Sequence, residues 1–107
     1  MATQKKYKLL KNDTIRTLDG NVLFRIEALI SFSALAKGDK GGYIEKEGNL
    51  NQSGNAWVSG DAQVSGDARV YGNARVYGDA QVYGDARVSG NARVYGDARV
   101  YGKLKLA

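Results

Sequence analysis

The sequence predicts an all-β protein, a parallel β-helix of about three coils with 18 residues in each, entered through an N-terminal β-hairpin and cap. Three observations carry that expectation. Residues 54–101 repeat a six-residue unit eight times without insertion: Gly, then Asp or Asn, Ala, one of Trp, Gln or Arg, Val, and finally Ser or Tyr. Within each unit Ala, a polar residue and Val alternate with the period of two that marks a half-buried strand, and Gly followed by Asx is turn chemistry. A longer period overlies the short one: Asn returns at 55, 73 and 91, and Gln at 63 and 81, always 18 apart. A three-residue strand is too short to stand alone, so successive units must stack on copies of themselves about 4.8 Å apart. Duplication of an 18-residue segment accounts for the same period without excluding the coil.

The elements follow in order, with residues 1–43 as hairpin and cap and residues 44–107 as the β-helix, packed as one domain. Residues 14–18 and 22–26 flank Asp19-Gly20-Asn21, a strong hairpin signal, and residues 6–10 offer a third strand. Residues 27–37 read either as a short helix, with Leu29, Phe32 and Leu35 on one face, or as an irregular first coil. Residues 38–44 enter the coil. Their three glycines lack the G-x-x-x-x-G-K-[ST] pattern of a phosphate loop. The six-residue frame extends to ten units over residues 48–107, with Leu50 in an Ala position and Gln52 in a Val position at the start. Leu104 and Leu106 replace Ala and Val at the end. These larger side chains close the core, and burying each is worth roughly 1.5–3 kcal/mol.

The repeated Val-Tyr-Gly-Asp-Ala-Arg resembles the hexapeptide-repeat superfamily. That resemblance implies a left-handed coil, triangular in section, with three hexapeptides per turn. The phrase GDKGGYIEKEGNL ahead of the repeats is similar to small phage and prophage proteins described as hexapeptide transferases or polymer-forming proteins.

Composition narrows the chemistry. A chain of 107 residues allows one domain. It contains no Cys and no apolar run long enough to span a membrane, and its first residues lack a signal peptide's apolar core. These features favour the cytoplasm, that of the host cell if the protein is phage-encoded. The net charge is +5, yet the arginines and aspartates of the eight units cancel. The excess lies in Lys5, Lys6, Lys8 and Lys11 and in Lys103 and Lys105, which reads as solvated ends or as attraction to an anionic partner. The acyltransferases of the superfamily resemble one another in using a His base, and this chain has no His. No enzyme activity, cofactor or metal is therefore expected. Asp61, Asp79 and Asp97 form a ladder that either attracts a hard cation or caps its own turns. The threonines, at 3, 14 and 17, lie outside the repeats, which rules out a flat ice-binding array.

What remains is the exterior. The 18-residue coil stacks Trp57, Arg75 and Arg93 in one outward column beside Tyr77 and Tyr95, with Arg75 placed for a cation–π contact over Trp57. A second face carries Gln63, Gln81 and Arg99 with Tyr83 and Tyr101, and a third carries Arg69, Arg87 and Lys105. Arg and Tyr either solvate these faces or grip a partner, as they do at protein interfaces. The expected partner-binding set is Trp57, Arg75, Arg93, Tyr77, Tyr95, Arg69, Arg87 and Arg99; the expected oligomerisation set is Leu104, Leu106, Tyr83 and Tyr101. The functional expectation is a non-catalytic binding protein, a dimer or trimer with no membrane partner. Company with phage proteins suggests inhibition of a host defence component, whether protein, nucleoprotein or nucleotide signal. A structural tip or filament and a vestigial acyltransferase are the alternatives.

Overall fold

The computed structural model describes residues 5–17, 20–31, 35–52, 54–103 and 105–106. The expectations for Leu18, Asp19, Phe32 and Leu104 lie outside the described residues. Each six-residue unit forms a two-residue strand whose Val points inward, and Val58, Val64, Val70, Val76, Val82 and Val88 are fully buried with the Ala beside each. The strands pair in parallel with the unit 18 residues on. Trp57, Arg75 and Arg93 are in register, as are Gln63, Gln81 and Arg99, and Arg69, Arg87 and Lys105. Three sheets therefore wrap one core in a three-sided spiral. The N–H of Trp57 donates to Ala74 O at 3.1 Å and that of Ser59 to Val76 O at 2.8 Å, tying each coil to the next. Asn55 and Asn73 lie on successive rungs with their amides 3.4 Å apart, and Asn73 meets Asn91 likewise. Corners stack closely too: Gly72 has φ 69°, and a Cβ there would lie 3.0 Å from Gly90 N, so only Gly turns the chain at this point.

The cap begins with β1 (Tyr7–Arg16) and β2 (Val22–Ala28), the antiparallel hairpin around Gly20. Residues 6–10 are not a separate third strand. Residues 7–10 form the first half of β1, which runs on past an irregularity between Leu10 and Thr14. The helical reading of residues 27–37 also fails: Glu27 and Ala28 finish β2, and no described residue of that stretch is helical. Tertiary pairing decides it, since Tyr7 faces Ala28 across the sheet and both are buried. β3 (Lys40–Ile44) pairs antiparallel with β2 on one edge and parallel with β5 (Gln63–Val64) on the other. Cap and coil thus share a six-stranded sheet.

The frame expected ahead of Gly54 is displaced. Tyr43 and Ile44 pair with Gln63 and Val64, and Leu50 bridges Val70, each 20 residues on rather than 18. Leu50 takes a Val position and is fully buried, and two extra residues lie between it and Val58. Gln52 is therefore not inside the coil. Its Oε1 accepts from the N–H of Lys6 at 2.7 Å and of Tyr7 at 3.2 Å, and its Nε2 donates to Tyr7 O at 3.3 Å. The Tyr7 hydroxyl bonds to the carbonyl oxygens of Leu50 and Glu47. The irregular first coil is the dock for β1.

The cap also completes the backbone of the first regular coil. Lys6 Nζ donates to Ala56 O at 2.7 Å and to Gly54 O at 3.4 Å. The N–H groups of Tyr43, Glu45 and Asn51 donate to Ala62 O, Val64 O and Val70 O. Asn49, fully buried after the 3₁₀ turn begun by Glu47, donates from Nδ2 to Gly66 O at 3.1 Å and Ala68 O at 2.9 Å. The paired glycines of β3 serve packing: a Cβ on Gly41 would lie 2.4 Å from Val58 O and 2.8 Å from the Trp57 ring. Gly41→Ala is expected to destabilise the protein by about 1–3 kcal/mol in urea unfolding. Gly48→Ala, with nothing within 4 Å of the new methyl, is expected to stay within about 0.5 kcal/mol of wild type.

Candidate functional site

The coil's exterior carries the side chains that the sequence singles out, with one correction. Trp57 stands in register with Arg75 but is only 4% exposed. Its ring packs edge-to-face on Tyr7, with centroids 6.3 Å apart, and lies close against Gly41 of β3, so the cap covers it. It is a core aromatic, and the exposed part of that column begins at Arg75. Beside the column Tyr77 and Tyr95 stack with centroids 5.5 Å apart, and Tyr83 and Tyr101 stack on the next corner at 5.4 Å. Tyr95 and Tyr101 are 59% and 53% exposed. Such pairs hold their rings rigid at low entropic cost on binding.

Shallow grooves run between the columns. One of about 560 Å³ lies between the 47–52 segment and the face of Arg69 and Arg87. A second, of about 280 Å³, is lined by Trp57, Ser59, Arg75, Tyr77 and Arg93. A third, of about 430 Å³, lies where Arg16, Thr17 and Asn21 of the hairpin meet Gln81, Tyr83 and Arg99. Arg93, Arg69, Arg87 and Arg99 thus all border open surface, and Leu106, on the last rung in register with Val88, is half-buried.

Charge is sorted by corner. One corner bears Asp61, Asp79 and Asp97, the next Asp67, Asp85 and Lys103, and the third Asn55, Asn73 and Asn91. The third corner is flanked on one side by Arg69, Arg87 and Lys105 and on the other by Arg75 and Arg93. The sequence reading treated this Asn ladder as a register marker alone; its place between two cationic columns becomes legible once the three faces are wrapped round the core.

The N-terminal lysines have internal roles. Lys5 pairs with Glu47 at 2.7 Å and Lys8 with Glu27 at 4.0 Å. Lys6 is buried as the donor described above, and desolvation lowers its pKa to about 8. Beside it, burial first and the Glu47 carboxylate second raise the pKa of Tyr7 well above the ordinary phenol value. Among the described residues no cluster of His, Cys, Asp and Glu is arranged to hold a metal ion. Nor, among them, is any helix long and apolar enough to cross a membrane.

Residues 62–78, 68–83, 80–94 and 92–103 each match the family model described as the YdcK Beta solenoid repeat. The matched residues lie within the β-solenoid of this structure, which makes about three turns of roughly 18 residues, and the cap lies outside them. No curated protein matches the chain.

The Lys6–Tyr7 pair gives a pH signature. Lys6 has a lower pKa folded, about 8, than unfolded, 10.5. Between those values the unfolded chain binds more protons, so the Lys6 contribution makes stability rise with pH. Tyr7 has a higher pKa folded than its ordinary 10, so its contribution makes stability fall above pH 10. Urea midpoints are expected to climb from about pH 8 and turn over near pH 10, and Lys6→Met is expected to remove the climb while leaving the fall.

Proposed function

We propose that this protein is a non-catalytic binding scaffold, acting as a dimer or trimer, that holds a partner through the arginine and tyrosine columns of its β-solenoid. One observation carries the reading: Arg75 and Arg93 stand in register beside the stacked pair Tyr77 and Tyr95, a partly exposed Arg–Tyr surface set by the regular coil. Residues of these two types dominate the energetics of protein interfaces. The similarity of the phrase GDKGGYIEKEGNL, ahead of the repeats, to phage and prophage proteins extends the proposal to a phage-type accessory protein. It would act in the host cytoplasm by covering a defence component. A chain without His lacks the base used by the resembling acyltransferases, so acyl transfer enters only as a vestige.

The last rung supports self-association. Among the described residues the strands Arg93–Val94, Arg99–Val100 and Lys105–Leu106 each pair on one side only. Tyr101 and Leu106 sit at these edges. Such edges pair with further chains unless they are covered. A structural role as a stacked tip or filament rests on the same edges.

Two measurements separate these readings. Light scattering across concentration is expected to give a discrete dimer or trimer; mass that keeps growing with concentration favours the filament. In a pull-down from bacterial lysate, Arg75→Glu/Arg93→Glu is expected to lose the partner that wild type recovers. Equal recovery by both would show that this face is not the contact.

A further inference from the structure

We infer that the Asn corner, with the cationic columns on its two flanks, is a docking ridge for the phosphate backbone of double-stranded nucleic acid. This rests on the binding-scaffold reading, but it names the partner's chemistry and moves the contact from one face to a corner.

The inference starts from what occupies the turns. Asp fills the second position of five units, and in none of them does it stand at this corner; Asn fills all three turns there. Asp and Asn serve an Asx turn equally well, so turn chemistry alone does not demand the neutral residue. The difference is electrostatic. Arg69, Arg87 and Lys105 climb one flank and Arg75 and Arg93 the other, with no carboxylate in the ladder between them. Within a column the rungs are about 4.8 Å apart, so the cations repel unless an anion joins them. Among the described residues Arg69, Arg87 and Arg93 make no ion pair with a carboxylate. Two of the nearby acids are held by lysines: Glu47, which borders the groove beside Arg69, is bonded to Lys5 at 2.7 Å, and Asp67 to Lys46 at 3.0 Å; Asp85 lines a groove with Arg87 and Lys105 on the side of that column away from the Asn corner. The carboxylates of the repeats stand at the other two corners, Asp61, Asp79 and Asp97 at one and Asp67 and Asp85 at the other, so the Asn corner alone carries none although the repeats sum to zero.

The shape selects the polyanion. Two cation columns on either side of a convex edge offer one column to each of the two phosphate strands that border a duplex groove. Guanidinium groups bind phosphate bidentately. The Asn amides bond to one another along the ladder at 3.4 Å. Contact therefore runs through the backbone, without reading the base sequence.

The test is fluorescence anisotropy with a labelled duplex of about 30 base pairs, titrated from about 50 to 300 mM salt. With three to five cations engaged, the plot of log K against log salt is expected to slope at about −3 to −4.5. Asn73→Asp/Asn91→Asp adds two charges at the ridge in residues that the other corners already accept, so circular dichroism is expected to be unchanged. Its affinity is expected to fall at least about tenfold. Gln63→Glu/Gln81→Glu adds the same charge on another face and is expected to stay within about threefold of wild type. Absence of wild-type binding at the lowest salt, a slope shallower than about −1, or equal losses in the two variants would each overturn the inference. A wild-type protein that captures a protein partner through Arg75 and Arg93 yet ignores the duplex would leave the scaffold reading standing and this one refuted.

Discussion

A parallel coil has a backbone problem at its first rung, and this molecule is built around the answer. Each rung accepts hydrogen bonds from the rung before it, so the first regular coil presents carbonyl oxygens with no coil above them. Buried carbonyls left without donors cost free energy comparable to a lost hydrogen bond. The cap supplies the donors from varied sources: an ammonium at Gly54 and Ala56, a side-chain amide at Gly66 and Ala68, and main-chain N–H groups at Ala62, Val64 and Val70. The buried lysine, the buried asparagine and the two-residue displacement near Gln52 all follow from fitting an antiparallel hairpin over a parallel spiral.

With its interior fixed by Ala, Val and Gly, the coil keeps freedom at three kinds of position in each unit: the turn Asx, the outward residue and the corner Ser or Tyr. The regular backbone turns those choices into columns and ladders. A single preference, such as Asn against Asp, is repeated on successive rungs and becomes a property of a whole edge. Stacked tyrosines and sorted charges are thus direct products of the repeat, and any function through the exterior inherits that regularity.

Much of this was legible in the sequence because the repeat is its own register. The pairing of Trp57 with Arg75 and of Gln63 with Gln81 followed from counting 18 residues. The Asp-Gly hairpin followed from turn chemistry. The contacts of Lys6 and Tyr7 were not legible, since they join residues 40 to 50 apart with no periodic signal. Trp57 illustrates the limit: its place in the column was readable, but its burial depends on Tyr7 and Gly41 of the cap packing against it. Leu50 and Gln52 were framed by extending the six-residue count beyond the units that obey it, and the two extra residues displaced both. The charged corner needed the faces to be wrapped before its neighbours on either side could be seen together.

The most direct test of the cap's role is native-state hydrogen exchange on Asn49→Leu, compared rung by rung with wild type. If the cap's donors hold the first regular coil, amides of residues 63–71 should lose protection while those of residues 81–89 keep it. Unchanged protection at residues 63–71 in a folded Asn49→Leu protein would contradict the account.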